Sequence, residues 1–417
     1  MRIVFWHGYL LSGTGSNIYT QAVAREWRRA GHDVVVLCQE PHPERFDLAG
    51  AAVVRPDIGR ALPVFVLDRY EGLEARLLVD LGRDERERYV LANAAAVRRQ
   101  LPADLVFANH VVPGGPVAAR SGAGRFAVKV HGSELEYAMR PSPELAEWAA
   151  EAVRAADTVF VGSQHIRNVL EELVGRVEGV VEVPPGVDVE RFAPRNREEA
   201  LAGLLEESRR DPPNPRNRNE RLPDEGNAER LARFFADSRP VVLYVGKLLY
   251  NKGPHLVLEA MHGAEARALV AGFGDSEYRR ELERRAPPGT LFTGALEHRH
   301  LVHLYPLADV AVVPSILPEA FGMVAAEAAA AGVPPLVARH SGLAEIAAEI
   351  APAYPPAARE LVAFATGDVI ELADRLRAVL ALRAEERRAL GRAAREVAVE
   401  RWSWATVARR LLEPFQP

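Results

Sequence analysis

Short runs of β-branched and aliphatic residues alternate along the chain with longer stretches whose apolar positions recur every three or four residues. The runs at 3–6, 34–37, 105–108, 127–130, 159–161 and 180–183 predict strands, and the stretches between them predict helices. That rhythm is the mark of βαβ units and a parallel sheet. It breaks after about residue 194 and resumes at 241–245, 268–271, 291–293, 310–313 and 335–338, so a second doubly wound sheet is expected. The interruption, residues 195–240, contains the polar, proline-rich stretch 211–220 and reads as a mobile linker or insertion flanked by short helices. From 369 to 412 the pattern is helical again, with Leu372, Leu376, Val379, Leu380 and Leu382, then Trp402, Trp404, Val407, Leu411 and Leu412.

A length of 417 residues suits two α/β domains rather than one core. Hydrophobic residues make up 48% and charged residues 26%, with a net charge of −5; this fits a water-soluble globular protein and argues against a nucleic-acid partner. The apolar start at Ile3 is too short for a signal segment, and no uncharged run reaches membrane-spanning length, so a cytoplasmic protein, monomer or homodimer, is expected. Arg25, Arg28 and Arg29 on the first helix leave peripheral membrane association open. The single cysteine, Cys38, excludes an internal disulfide and reads as a buried thiol. Only three lysines, Lys129, Lys247 and Lys252, stand against 49 arginines, and two of the three share one short loop. Compact ammonium charges kept in one loop of an arginine-rich chain suit a phosphate.

The richest segment is 314–327, directly after a buried-looking strand and running into a helix expected to start near Phe321. The free N–H groups at such a start, with Phe321, Gly322 and Met323 around them, make a phosphate seat at the C-terminal edge of a parallel sheet. Glu319 precedes it, and Glu327 lies about two turns on, where two acceptor oxygens suit a pair of ribose hydroxyls. Between the first strand and first helix, 12–17 is glycine-rich but lacks the full dinucleotide fingerprint, which disfavours a nicotinamide enzyme. No cluster has the spacing of a metal site, and no Asp-x-Asp motif is present, so no metal and no cofactor are expected.

Glu319-Ala320-Phe321-Gly322-Met323-Val324-Ala325-Ala326-Glu327 resembles the Glu-x7-Glu signature of retaining GT-B glycosyltransferases, in particular family 4, the glycosyl transferases of group 1. Other segments match that family in order: 184–194 resembles the closing segment of its first domain, 245–253 its basic phosphate loop, and 271–275 its glycine turn. Lys247 departs from the arginine usual there, keeping the charge and losing the bidentate fork.

The resemblance implies two facing Rossmann-like domains with a donor cleft between them: an acceptor domain at 1–194, to which a helix at 402–417 returns, and a nucleotide-sugar domain at 241–401. It implies transfer of a hexosyl group from a nucleotide-diphosphate sugar, a UDP-sugar before a GDP-sugar, to a sugar, small-molecule or lipid acceptor. His131, from a His-Gly motif, is assigned to a sugar hydroxyl, and with Lys252 and Glu319 forms the catalytic group. Gly15, Gly246, Lys247, Gly274, Phe321, Gly322, Met323 and Glu327 are assigned to the donor. Ser16, Asn17, His110 and Glu134 are placed at the acceptor rim, and 339–342 beside the site. The same fold would also serve a phosphorylase, a disaccharide synthase or a non-catalytic sugar-nucleotide binder.

Overall fold

The computed structural model describes residues 1–11, 13–67, 72–213 and 222–416. Ser12 and residues 214–221 of the expected polar loop lie outside the described residues. The chain forms two compact units, one of Met1–Gly186 with Trp404–Pro417 and one of Val187–Ser403.

The first unit holds β1 (Arg2–Trp6), β2 (Asp33–Leu37), β3 (Ala52–Val54), β4 (Ala61–Val64), β5 (Glu74–Leu77), β6 (Leu105–Asn109), β7 (Phe126–Lys129), β8 (Thr158–Val161) and β9 (Val180–Glu182). Seven of them make a parallel sheet in the order β3-β2-β1-β6-β7-β8-β9, and β4 pairs with β5 apart from it. The second unit holds β10 (Val241–Val245), β11 (Arg267–Ala271), β12 (Leu291–Phe292), β13 (Val310–Val313), β14 (Pro335–Ala338) and β15 (Ala363–Phe364), parallel in the order β12-β11-β10-β13-β14-β15. The central strands are apolar on both faces because helices cover both. Strand order reverses beside β1 in one sheet and beside β10 in the other, and ligands of open parallel sheets bind outside such reversals.

In the first core Phe5, Trp27 and Phe107 meet edge to face or tilted, at 5.2 to 5.3 Å between ring centres. The helix Trp404–Arg410 completes that core: Trp27 Nε1 donates to the Ala408 carbonyl at 2.8 Å, and Trp404 meets Tyr19 at 5.7 Å. Cys38 is buried there.

Three elements depart from the pattern reading. The second unit begins at Val187, before residue 194, because the Val187 N–H bonds to the Trp402 carbonyl and Arg395 binds the carbonyls of Val189 and Phe192. Residues 195–240 contribute the helices Arg197–Arg209 and Asn227–Phe235, whose Ala200, Leu204, Leu231 and Phe235 enter the second core. Asp211, at the start of the polar stretch, holds Arg299 at 2.5 Å and His300 at 3.0 Å. The helical tail is broken at Ser403, which sends Trp402 to one core and Trp404 to the other.

The third lysine is not in a loop. Lys129, buried at the end of β7, donates to the Val183 carbonyl at 2.6 Å and lies over the Tyr19 ring. Burial lowers its ammonium to about 7, with Arg410 acting the same way and Glu134 and Glu182 opposing. From about 7 to the ordinary 10.5 the unfolded chain carries the extra proton, so this residue's contribution to native stability rises with pH. In urea unfolding, wild type should therefore gain stability relative to Lys129→Met between pH 7 and about pH 10. A difference constant over that range would show an ordinary lysine.

Candidate active site

In the second unit, two loops leave neighbouring strands and stay paired beyond the sheet. The Gly246 N–H donates to the Ala271 carbonyl at 3.0 Å and the Leu248 N–H to the Phe273 carbonyl at 2.7 Å. The glycine turn after β11 makes this passage sterically allowed. A Cβ on Gly272 would lie 1.9 Å from the Gly246 oxygen, and one on Gly274 2.1 Å from the Leu248 oxygen. The basic loop after β10 is thereby held at the sheet edge, with the Tyr244 phenol donating to the Lys247 carbonyl at 2.8 Å. Lys247 itself is exposed.

The loop after β13 is tied to the same place. Ile316 N–H donates to the Asn251 carbonyl at 2.8 Å, which sets Lys252 Nζ 2.5 Å from Glu319 Oε1. The Glu319 N–H donates to Ser341 Oγ, and the Glu319 carbonyl accepts from Gly342 N–H at 3.0 Å. His340 Nε2 reaches the Ser315 carbonyl at 2.7 Å. Of the expected 339–342 group, His340, Ser341 and Gly342 therefore brace the loop, whereas Arg339 is half exposed and pairs with Glu360 and Glu371.

The following helix is Met323–Ala330, starting after the expected Phe321. Gly322 takes φ +118° and Phe321 turns into the core against Trp402, ring centres 5.7 Å apart. That side chain is a packing group, and any ligand contact from this turn falls to backbone. Glu327, only 6% exposed, accepts from the buried Tyr305 phenol at 3.1 Å, and its other oxygen lies 3.4 Å from His298 Nε2. Burial, the Glu327 charge and the hydrogen bond to Glu327 all raise the Tyr305 hydroxyl well above its usual range, so it remains a donor. Each carboxylate oxygen of Glu327 keeps a further acceptor site.

In the first unit, β1, β6 and β7 are sheet neighbours, and each is followed within two residues by a histidine: His7, His110 and His131. Their rings converge, His110 lying 4.7 Å from His131 and 6.2 Å from His7. Asn109 is buried among them, reaching His131 Nε2 at 2.9 Å, His7 Nδ1 at 3.1 Å and Thr20 Oγ1 at 2.8 Å. His110 Nδ1 pairs with Glu134 Oε2 at 3.1 Å, and the His131 N–H donates to Glu134 Oε1 at 2.8 Å. His110 and Glu134 are thus not on a rim: they are 2% and 0% exposed, and the hydrogen bond between them makes burial of both side chains tolerable. His110 also takes φ +65°, a strained value for a side-chain-bearing residue.

Burial, then the neighbouring His110 charge, brings His7 to about 3 against the smaller opposing effects of Asn17 and the Leu10 carbonyl. Burial likewise holds His131 well below its usual range, helped by His110, Lys129 and His7. For Glu134 burial acts upward, but His110 and the His131 N–H outweigh it and keep the carboxyl low. The pocket therefore holds two neutral imidazoles beside an ionised carboxylate.

Gly15, Ser16 and Asn17 form the first turn of the helix Gly15–Arg29, which has neither a side-chain cap nor an acidic residue at its start. Gly15 is exposed and Ser16 partly so, but Asn17 is buried, its Oδ1 2.8 Å from His7 Nε2, and so is no rim residue. Further along that helix Arg25 and Arg29 pair with Glu26, and Arg28 donates to the His32 carbonyl. Among the described residues no helix is long and apolar enough to cross a membrane.

His7, Asn109, Tyr244 and Tyr305 escaped the motif reading. For His7 and Asn109 a signal existed: polar residues ending apolar strands that prove to be neighbours. Tyr305 carries none.

A GDP-mannose-dependent alpha-(1-6)-phosphatidylinositol monomannoside mannosyltransferase of Mycolicibacterium smegmatis is 27% identical over 316 residues, 72% of each chain. A glycogen synthase of Mycobacterium tuberculosis is 36% identical over 188 residues, 42% of this chain and 43% of its own. Among solved structures, Anabaena HepE in complex with UDP matches over 99% of both chains with TM-score 0.70 at 16% identity. Sucrose-phosphate synthase of Thermosynechococcus elongatus covers 98% of this chain and 97% of its own with TM-score 0.65 at 20% identity. The glycosyl transferase 4-like domain matches residues 14–186 and the model for glycosyl transferases group 1 matches 227–397; with two parallel-sheet units on this plan, the chain belongs to the GT-B glycosyltransferases of group 1.

Proposed function

We propose that the chain is a retaining hexosyltransferase that uses a nucleotide-diphosphate sugar without a metal. The observation that supports this most directly is the convergence of Lys252 and Glu319 at the edge of the second sheet, beside the helix start that carries the buried Glu327. Glu327 takes the ribose hydroxyls. Lys252, with the exposed Lys247 of the same loop, neutralises the diphosphate as the bond from the anomeric carbon to its oxygen breaks. The acceptor hydroxyl forms its new bond on the same face, and its proton passes to the leaving phosphate oxygen. That sequence keeps the anomeric configuration and needs no protein nucleophile. His131 takes a hydroxyl of the transferred sugar.

Relatives aligned over 72% of the chain are named as GDP-mannose-dependent enzymes acting on phosphatidylinositol mannosides, and a HepE structure holds UDP. Both nucleotides, and acceptors including a phosphatidylinositol mannoside, therefore enter the first screen.

Thermal unfolding with UDP, GDP, ADP and TDP should show one selective rise in Tm without metal, unchanged by chelator. A rise that appears only with Mg²⁺ would overturn the metal-free mechanism, and no rise with any nucleotide would overturn the reading. Lys252→Ala should lower kcat by about 10²- to 10³-fold, the loss seen when one preorganised charge-stabilising donor is removed. Retained turnover would remove Lys252 from the diphosphate. Glu327→Gln, which keeps the Tyr305 contact but loses the charge, should weaken nucleoside diphosphate binding by roughly 10- to 100-fold in calorimetry.

A further inference from the structure

We infer that a cavity within the first unit, sharing no residue with the groups assigned to the donor or the acceptor, binds a neutral hexopyranose ring. The ligand class is read from the lining of the cavity and does not depend on what the chain transfers.

The cavity holds about 200 Å³, well beyond the space of a single water. Its two walls are the helices Arg83–Arg98 and Pro143–Ala155, and both pack on the shorter helix Gly114–Arg120 that separates them. Up to Arg120 that helix is made of glycine, proline, valine and alanine, and such small side chains leave the slot above it unfilled. A Cβ on Gly115 would lie 2.8 Å from the Ala152 Cβ, so its absence lets the helix Pro143–Ala155 come close.

One wall contributes Arg83 and Arg86, the other Glu144, Trp148 and Glu151, which their spacing puts on one helix face. Arg86 is 7% exposed, and among the described residues the one partner of its five N–H donors is Glu144, at 2.6 Å. The hydrogen bond from Arg86, then its charge, holds the Glu144 carboxyl below its usual range, so the pair stays ionised at neutral pH. Arg120 pairs likewise with Glu87. Arg83, Glu147 and Glu151 form no ion pair among the described residues.

This lining disfavours ions of either sign. Guanidinium and carboxylate share one small space, so an anion drawn to Arg83 or Arg86 meets Glu144, and a cation drawn to the carboxylates meets the guanidinium groups. A hydroxyl both donates and accepts, and a ring of hydroxyls bridges paired side chains without separating their charges; hydrogen bonds to charged partners are also the stronger ones. Trp148 adds an indole for the apolar C–H face of a pyranose, and its N–H has no acceptor among the described residues. Paired planar groups for the hydroxyls and an aromatic surface for the ring together suit a neutral saccharide.

Trp148 also supplies the readout. Of the five tryptophans, Trp6, Trp27, Trp402 and Trp404 are buried, so collisional quenching by acrylamide reports chiefly on Trp148. Methyl α-glucopyranoside, methyl α-mannopyranoside and methyl α-galactopyranoside are added in turn to the full chain. At least one should shield Trp148 saturably, with a Kd on the order of 1 mM, and Trp148→Phe should abolish the effect. Arg86→Gln, which leaves the exposed Glu144 in water, should weaken that binding by roughly 10- to 100-fold in calorimetry. The surface change Glu151→Ala gives a second reading if Arg86→Gln does not fold. No saturable shielding by any of the three glycosides would overturn the inference. So would saturable shielding by inorganic phosphate, choline or glycine betaine at comparable concentration, which would make the cavity an ion site. Glycoside binding unchanged in both variants would overturn it too, by placing the sugar elsewhere.

Discussion

Two loops in the second unit run side by side past the end of their strands, and almost everything the donor side does depends on the absence of a β-carbon between them. At Gly272 and Gly274 the carbonyls of Gly246 and Leu248 occupy the space a side chain would need. This contact turns a flexible basic loop into an extension of the sheet. Once the loop is fixed, the Asn251 carbonyl is available to the N–H of Ile316, and that bond brings a lysine and a glutamate 67 positions apart in sequence into an ion pair. A partly exposed pair of this kind adds little to stability. Its value is that a compact positive charge sits at a known place, before any ligand is present.

The first unit solves a different problem. Three strand ends deliver imidazoles into a region with almost no solvent, where an unpaired polar group costs about 1 to 3 kcal/mol. The cost is met by mutual satisfaction: one amide serves two rings and a hydroxyl, and one carboxylate serves a ring and a backbone N–H. Such a network is rigid because its members constrain one another, and among the described residues only the outer nitrogen of His110, Nε2, is left in it buried without a partner. The strained backbone at His110 is consistent with that over-determination.

Strands with apolar residues on both faces could be read directly, and so could the restart at β10, because burial on two sides leaves long aliphatic runs. The rarity of lysine pointed to Lys252, and a carboxylate two turns into a helix pointed to Glu327. What escaped reading was set by neighbours distant in sequence. Phe321 stands inside a binding motif yet turns inward, since Gly322 redirects the chain at a positive φ and Trp402 offers a ring to pack on. His110 and Glu134 read as rim residues because each is polar and follows a strand; only their pairing makes burial tolerable. The short helices flanking the polar stretch of 195–240 were legible, but not that their Ala200, Leu204, Leu231 and Phe235 enter the second core, because their partners there are distant in sequence.

The break at Ser403 has a consequence for biosynthesis. The core of the first unit takes Trp404, Val407, Leu411 and Phe415 from a segment made after the entire second unit. At about 5 to 20 residues per second, a ribosome spends roughly 10 to 40 seconds between Gly186 and that segment. During that interval the nascent first unit presents an uncovered apolar face beside Tyr19 and Trp27, which makes it a natural client for chaperones at the exit tunnel.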